Sequence, residues 1–417
     1  MTMQNTSLNT QSLRNRNLFK ISFTTNIFEC YDTIISGYLA AVIGHLFFKP
    51  GSEIIAVILS FATFSSSFLA EPLGGIFWGY FGDKRGTGLA AKYSMLVMAI
   101  PSCLIGLLPT YDSIGYVAPI LLVLLNIIQG FGTGGQVATN FCYVYEQTTD
   151  TKHSSLFCGL AASGGWVGSL LASLVAFLLY ARFTHDTIYN WAWRIPFLIS
   201  IPMFMMIFHF RKNIEISHNH QANAIRKFDW LRGDFVRPFM KCFLLLSFMQ
   251  ISFYMLFMWL PTYLESFLKV SHDVARISNV ISLIVATICV ILWGYLGKHV
   301  NYRKIMLSSL VLLLLLSYPL FYFLHSASFI ILIVIQIIFA VVYTPLEGNY
   351  VFALGRAFSS KFRNRGYALC WTFSIAIFGG TTPFICSYFI HLLNFNLFPV
   401  LYLILFGIIT LPAVYLL

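Results

Sequence analysis

Charged residues are scarce in this chain: only 10% of its 417 residues are Asp, Glu, Lys or Arg, whereas 58% are hydrophobic. Soluble domains carry about a quarter charged residues. A chain of this length with so few charges cannot cover a globular surface in water. The composition therefore excludes an ordinary cytosolic enzyme, a secreted disulfide scaffold and a disordered regulator.

The sequence also lacks the patterns of several site types. Its eight cysteines lie in or beside apolar runs without a C-x-x-C pair, so we interpret them as small buried side chains and predict no metal site. No nucleophile–base set or phosphate loop is evident, so neither an enzyme nor a cofactor is predicted. The polar residues 1–17 lack the layout of a cleaved signal peptide.

Most of the sequence consists of twelve apolar stretches of about 20 residues or more, separated by short polar segments. Each is long enough for a helix to cross about 30 Å of hydrocarbon, and each is apolar all round rather than on one face. The sequence therefore predicts an all-α integral membrane protein with twelve transmembrane helices. The predicted spans are residues 20–46, 54–80, 90–109, 115–139, 156–181, 190–210, 241–267, 274–297, 305–324, 328–350, 366–391 and 395–416.

Lys and Arg are distributed unevenly between the loops of this prediction. With the N-terminus inside, 21 of the 26 basic residues fall on the cytoplasmic side and the other five on the external side. Cytoplasmic loops of membrane proteins carry such an excess. Both termini are therefore predicted to be cytoplasmic. We interpret the net charge of +11 as a topology signal, and no nucleic-acid partner is predicted.

A long polar stretch divides the predicted spans into two sets of six. The phrase G-Y-x-G followed by charge ends the second span of each set, at Gly79–Gly82 and at Gly294–Gly297, which favours two related halves. The predicted organisation is a cytoplasmic tail at 1–17, an N-terminal half at 18–210, a cytoplasmic connector at 211–240 and a C-terminal half at 241–417.

Six motifs occur in order along the chain. They are E-C-Y-D at 29–32, F-L-A-E-P-L-G-G at 68–75, G-Y-F-G-D-K-R-G at 79–86, N-I-I-Q-G-F-G-T-G-G-Q at 126–136, W-R-I-P-F at 193–197 and F-G-G-T-T-P at 378–383. Together they resemble the motifs of the major facilitator superfamily, in its metabolite:proton symporter branch. That branch contains proline/betaine, oxoglutarate, citrate and shikimate carriers.

The resemblance implies a two-half helical carrier in a bacterial inner membrane, working by alternating access as a monomer, with a small solute and protons as its partners. It also implies a cytoplasmic gate formed by Gly79, Gly82, Asp83, Lys84, Arg85, Gly86, Arg363 and Gly366. The chain departs from the family pattern where Glu71 and Asn126 replace arginines and Gln136 replaces a glutamate. The fold is therefore implied more firmly than the substrate.

Glu29 and Asp32 are the predicted proton-coupling residues. Counted from Lys20, they lie about 14 Å and about 18 Å into the first span, near the depth at which transporters place their sites. Their i, i+3 spacing predicts that they share a helix face. Two carboxylates so close cannot both ionise cheaply, so one is expected to hold a proton. The alternative is a structural hydrogen-bonded pair.

The remaining candidates are polar residues at similar depth. Glu71 either contacts substrate or only satisfies neighbouring helices, and Glu347 is interpreted as an interfacial residue near the cytoplasmic end of its span. The predicted substrate-binding residues are Asn26, Tyr31, Glu71, Gln129, Gln136, Trp371 and Thr372.

Basic residues are nearly absent from the spans, apart from Arg194 and Arg276 near external helix ends. A di- or tricarboxylate would need a cation to offset its desolvation. We therefore predict a proton-coupled symporter of a zwitterionic or cationic metabolite, such as an amino acid or a betaine-like solute. The alternatives are an organic-acid symporter, a proton antiporter that exports a cationic compound, and a membrane sensor without transport.

Overall fold

A computed structural model of the chain describes most of the sequence. The described residues are 23–48, 53–85, 87–136, 141, 145, 151–211, 233–297, 299–325, 328–359 and 363–417. The predicted tail at 1–17 lies outside them, as does most of the predicted connector.

Nearly all described residues are helical. The main N-terminal helices are α1 (Phe23–Tyr38), α2 (Ala40–Phe47), α3 (Glu53–Arg85), α4 (Thr87–Leu107), α5 (Val117–Thr133), α6 (Thr151–Arg182) and α7 (Arg194–Arg211). Short helices at Tyr111–Ile114 and His185–Thr187 and a π-helical segment at Ile188–Ala192 lie between them. The C-terminal helices are α8 (Gly233–Phe253), α9 (Leu260–Ser266), α10 (His272–Leu296), α11 (Tyr302–Leu324), α12 (Phe329–Ala357), α13 (Arg363–Ser374), α14 (Thr382–Leu393) and α15 (Phe398–Leu416). Helix α8 begins inside the predicted connector because it continues past its apolar part through Arg237 and Lys241.

Eight helices of the described chain are long and apolar enough to cross a membrane, or nine if the bent pair α1–α2 is one span. Three shorter apolar helices, Lys92–Leu107, Val117–Thr133 and Arg194–Met205, lie where the third, fourth and sixth spans are predicted. The protein is thus an all-helical, multi-pass membrane protein. The count of twelve spans and the cytoplasmic termini stay predictions.

Three long helical stretches change geometry along their length. Helices α1 and α2 meet at an angle of 60°. A π-helical segment, Tyr254–Trp259, joins α8 to α9, and another, Ile375–Gly379, follows α13. Because π-helical turns are frequent at functional sites, these segments direct attention to the middle of the molecule.

The N-terminal and C-terminal helices meet along two seams. Helix α6 packs against α10 and α12, and α3 packs against α13 and α14. At the first seam a Cβ atom on Gly159 would lie 2.9 Å from the Gly294 Cα and 3.2 Å from the Gly348 carbonyl oxygen. Glycine at these positions lets α6, α10 and α12 touch backbone to backbone.

Helices α3 and α5 also cross at backbone contact. A Cβ atom on Gly130 would lie 1.8 Å from the Ser67 carbonyl oxygen, and one on Gly134 would lie 2.0 Å from that of Glu71. The glycines of the 126–136 motif therefore serve close helix packing. This crossing also fixes the position of Glu71 beside the centre of the molecule.

Candidate functional site

A cavity of about 90 Å³ lies between the N-terminal and C-terminal helices. A buried water needs roughly 10–15 Å³ by this kind of measure, so the cavity has room for several waters or a small solute. Its lining residues are Asn26, Glu29, Cys30, Thr33, Ile34, Phe68, Glu71, Thr133, Phe141, Ala162, Gly165, Trp166, Leu246, Met249, Gln250, Phe253, Tyr254, Glu347, Tyr350, Trp371 and Ile375.

Carboxyl groups reach the cavity from both sets of helices. Glu29 on α1 and Glu71 on α3 come from the N-terminal helices, and Glu347 on α12 comes from the C-terminal helices. None of the described residues that line the cavity is Lys, Arg or His. An ionised carboxyl group at mid-membrane costs about 3 kcal/mol or more. The arrangement therefore suits a proton or a positively charged group on the solute.

Two polar atoms of the cavity lining, one on α3 and one on α13, are buried without a hydrogen-bond partner in the described part of the chain. They are the Glu71 Oε2 acceptor and the Trp371 Nε1 donor. Glu71 is only 2% exposed, and an unsatisfied buried polar atom costs about 1–3 kcal/mol. A solute with one donor and one acceptor would satisfy both atoms.

Aromatic rings form much of the remaining wall. Trp371 stacks on Tyr350 with 6.0 Å between ring centroids, and Tyr254 packs against Phe68 at 5.4 Å. Tryptophan and tyrosine faces attract cations, most strongly where water is excluded. The walls thus match the carboxyl groups in favouring positive charge.

Asp32 lies outside this cavity. Its Oδ1 accepts hydrogen bonds from the hydroxyls of Ser102 and Ser200, the latter at 3.0 Å, and its Oδ2 accepts one from Gln129 Nε2 at 2.7 Å. Glu29 and Asp32 therefore do not reach the same cavity, and their role in proton coupling stays a prediction. A three-residue step leaves side chains about 60° apart around a helix, and here that rotation turns Asp32 toward α4, α5 and α7.

Four of the predicted substrate-binding residues also lie outside the cavity lining. The Tyr31 hydroxyl donates to the Pro196 carbonyl at 2.8 Å, Gln129 binds Asp32, Gln136 donates to Ser94 at 3.2 Å, and the Thr372 hydroxyl donates to the Ala368 carbonyl at 2.9 Å. By contrast, Asn26, Glu71 and Trp371 line the cavity as predicted. Their contact with substrate stays a prediction.

The sequence prediction placed Glu347 at the membrane interface, and the structure corrects this. Helix α12 runs to Ala357, so about 15 Å of helix follow Glu347 and its side chain reaches the cavity. Its Oε1 accepts a hydrogen bond of 2.7 Å from the Tyr343 hydroxyl. The apolar run ends at residue 350, three residues after Glu347. The sequence therefore predicted too small a depth in the membrane for this side chain.

Contacts between the two sets of helices occur on both sides of the cavity. On one side Asn279 of α10 donates to the Tyr38 hydroxyl of α1. On the other, the Arg363 guanidinium lies 5.0 Å from the centre of the Tyr145 ring, and a hydrogen bond of 2.9 Å from Arg363 to the Gly355 carbonyl, within the C-terminal helices, holds it there. Asn279 and Gly294, which contacts Gly159 of α6, are about 22 Å apart along α10, so the two sets of helices touch at both ends of this helix.

The predicted gate is described only in part. Gly79 and Gly82 and the backbone of Asp83, Lys84 and Arg85 belong to the end of α3, whereas Gly86 and the side chains of Asp83, Lys84 and Arg85 lie outside the described residues. Gly366 is buried, and a Cβ atom there would lie 2.4 Å from the Phe358 ring. The gating role of this set stays a prediction.

Several cavity residues were not found from the sequence, among them Trp166, Gln250, Tyr254 and Tyr350. Aromatic residues make up 17% of the chain, so no single ring stands out by composition. Gln250 lies one turn before the π segment, and nothing in the linear sequence marks that segment. Only Glu347 had a usable signal, as a carboxyl group within an apolar run.

Comparison with known proteins gives a consistent assignment. The family model described as Major Facilitator Superfamily matches residues 50–346. A putative proline/betaine transporter of Staphylococcus aureus (strain MSSA476) is 31% identical over 395 residues, which cover 92% of this chain and 84% of that protein. The proline/betaine transporter of Escherichia coli (strain K12) is 26% identical over 399 residues, covering 92% of this chain and 79% of that protein.

Solved structures show the same fold at much lower sequence identity. The crystal structure of the D-xylose-proton symporter covers 96% of this chain and 96% of its own, with a TM-score of 0.75 and 16% identity. The xylose transporter of E. coli in a partially occluded inward-open conformation covers 96% of both chains, with a TM-score of 0.72 and 14% identity.

Proposed function

Because the chain belongs to the major facilitator superfamily and is a transporter rather than an enzyme, we propose that it is a proton-coupled symporter of a small solute bearing an ammonium group. The cavity between the two sets of helices carries this proposal. Three carboxyl groups and several aromatic rings line it, and its described lining contains no basic side chain. The proposed working cycle is alternating access, with the two sets of helices opening in turn.

The unpartnered atoms favour a solute with both charges. An ammonium N–H would donate to Glu71 Oε2, and a solute carboxylate would accept from Trp371 Nε1. An amino acid such as proline offers both groups. A betaine offers the carboxylate but no N–H, so its cation would be held by charge and by aromatic faces alone. Relatives named proline/betaine transporters support this substrate class.

An organic-acid substrate is the weaker candidate. A dicarboxylate would enter beside Glu29, Glu71 and Glu347 with no basic residue in the described lining to offset its charge. Such uncompensated burial of charge is strongly unfavourable.

Proton antiport of a cation is the second candidate function. The observation that favours it is that the same three carboxyl groups could bind either a proton or a cation. If the proton and the cation compete for one site, the carrier exchanges one for the other. If they bind at separate sites, the carrier can move both in the same direction. The direction of the pH gradient that accelerates uptake distinguishes the two.

Binding can be tested on the detergent-purified chain by thermal unfolding with proline, glycine betaine, choline and citrate. A ligand at 100 times its Kd stabilises the folded state by about 2.7 kcal/mol. We expect proline or glycine betaine to raise the melting temperature, with a much smaller rise in Glu71→Gln. Stabilisation by citrate alone would contradict the proposal.

A further inference from the structure

We propose that Glu347 and Tyr343 form a proton-binding pair in the C-terminal helices. In this pair Glu347 takes up one proton, and the Tyr343 hydroxyl switches its hydrogen bond between Glu347 and the Met249 carbonyl. The use of that proton in transport rests on the proposed function. Proton uptake at the pair does not, and it can be measured separately.

The Tyr343 hydroxyl carries one proton but lies within hydrogen-bond distance of two oxygen atoms. Its hydroxyl oxygen lies 2.7 Å from Glu347 Oε1 and 2.9 Å from the Met249 carbonyl oxygen. A phenol has one proton to donate, and a carbonyl oxygen only accepts. The hydroxyl can share its proton between the two oxygens in a weaker three-centre bond. Two full hydrogen bonds form only when Glu347 is protonated and donates to the Tyr343 oxygen, which leaves the phenol proton for the Met249 carbonyl.

The ionised pair has a different arrangement. A carboxylate accepts a stronger hydrogen bond than a neutral carbonyl does, so the Tyr343 hydroxyl then turns to Glu347 and leaves Met249. The change involves one proton, which forms the O–H bond of Glu347 and comes from water in the cavity when that side is open. The two arrangements differ in whether α12 is hydrogen-bonded to α8.

Met249 lies in α8 shortly before the helix changes its geometry. The helix changes to π geometry at Tyr254, one turn and a half further on, and Met249, Gln250 and Tyr254 all line the cavity. A hydrogen bond gained or lost at the Met249 carbonyl acts directly on this segment. Protonation of Glu347 thus alters a helix that borders the solute.

Trp166 connects the pair to the other set of helices. This side chain of α6 lines the cavity together with Glu347, and its ring packs against Phe257 at 4.9 Å and Tyr343 at 6.0 Å between centroids. The Glu347–Tyr343 pair is therefore covered by an aromatic ring from the N-terminal helices. Opening of the α6 seam would separate Trp166 from Glu347.

The ionisable surroundings of Glu347 contain acids only. Tyr343 and Tyr350 lie on its own helix, and Tyr254 lines the cavity from the π-helical segment that follows α8. From the N-terminal helices come Glu29, Cys30 and Glu71, whereas the rings of Trp166 and Trp371 do not titrate. Glu347 thus faces two other carboxyl groups without a cation in the described lining, a setting that suits proton exchange rather than a salt bridge.

Infrared difference spectroscopy of the purified full-length chain tests proton uptake without any solute. We expect a carboxylic-acid C=O band that disappears on raising the pH, is absent from Glu347→Gln, and moves in frequency in Tyr343→Phe because its hydrogen bond is lost. Asp112→Asn, exposed on the short helix Tyr111–Ile114, is the matched control and should leave the band unchanged. A spectrum that is the same in wild type and Glu347→Gln would overturn the proposal.

Transport in proteoliposomes tests the use of the proton. The glutamine amide can donate to Tyr343 as a protonated glutamate does. We therefore expect the ratio of radiolabelled proline uptake with an inward proton gradient to uptake without one to fall at least ten-fold in Glu347→Gln relative to wild type. Equal acceleration in Glu347→Gln and wild type would overturn the coupling role. If the infrared result holds but neither proline nor glycine betaine is transported, the proton pair stands and the proposed substrate class fails.

Discussion

The amide of Asn279 in α10 donates a hydrogen bond of 2.8 Å to the Tyr38 hydroxyl in α1. Asn279 also donates to Ser173 of α6 at 3.0 Å, and Tyr38 donates to the Phe257 carbonyl at 2.8 Å. Arg276 adds a hydrogen bond of 3.2 Å to the Tyr38 carbonyl. The network joins the two sets of helices at the end predicted to be external, and its opening is the expected step that admits solute from that side.

Tyr38→Phe should loosen this end of the cavity. The change removes one donor and one acceptor from the network, a loss of about 1 kcal/mol and hence a roughly five-fold rise in the open population. The measurement is the rate at which an impermeant maleimide labels the cavity residue Cys30, in a chain whose other cysteines are replaced. Tyr322→Phe, exposed on α11, serves as the control. Equal labelling in both variants would show that the network does not hold the cavity closed.

Asp32→Asn should reduce stability. Asp32 accepts hydrogen bonds from Ser102, Gln129 and Ser200, and an asparagine amide would present a donor to one of them. We expect a loss of about 1–3 kcal/mol, seen as a lower melting temperature in detergent, with Asp112→Asn unchanged. An unaltered melting temperature together with lost proton-driven uptake would instead favour the coupling role predicted from the sequence.

Gly130→Ala should disturb the crossing of α3 and α5. The added methyl group would lie 1.8 Å from the Ser67 carbonyl oxygen, and overpacking of this kind costs about 1–3 kcal/mol or more. Gly165→Ala is the matched control, because the atom nearest its new methyl is the movable Cys30 Sγ at 3.0 Å. The comparison is made by thermal unfolding. Similar melting temperatures for the two variants would mean that the crossing tolerates separation.

Trp371→Phe should weaken binding of a solute carboxylate while keeping an aromatic wall. The change removes the unpartnered Nε1 donor, and one neutral donor to a charged group is worth about 1.5–3 kcal/mol. We expect the affinity for proline to fall by at least ten-fold and that for choline, which has no carboxylate, to change little. Titration of both solutes by intrinsic fluorescence or calorimetry provides the test, and equal losses for both would contradict it.

The sequence predicted the parts of this account that depend on composition and spacing. Long apolar runs identified the helices, and the 126–136 motif identified the glycines that let α5 approach α3. The sequence could not predict distances between separate helices. The depth of Glu347 depended on where α12 ends, and the separation of Asp32 from the cavity depended on about 60° of rotation around α1. The partners Ser102 and Ser200 come from helices far along the chain, so no local pattern could reveal them.

The most direct test of the central claim is uptake of radiolabelled proline and glycine betaine by proteoliposomes with an imposed pH gradient. We expect saturable uptake that accelerates when the outside is acidic, collapses with a protonophore, and is lost in Glu71→Gln. Saturable uptake of citrate, or transport of the ammonium solutes that ignores the pH gradient, would contradict it.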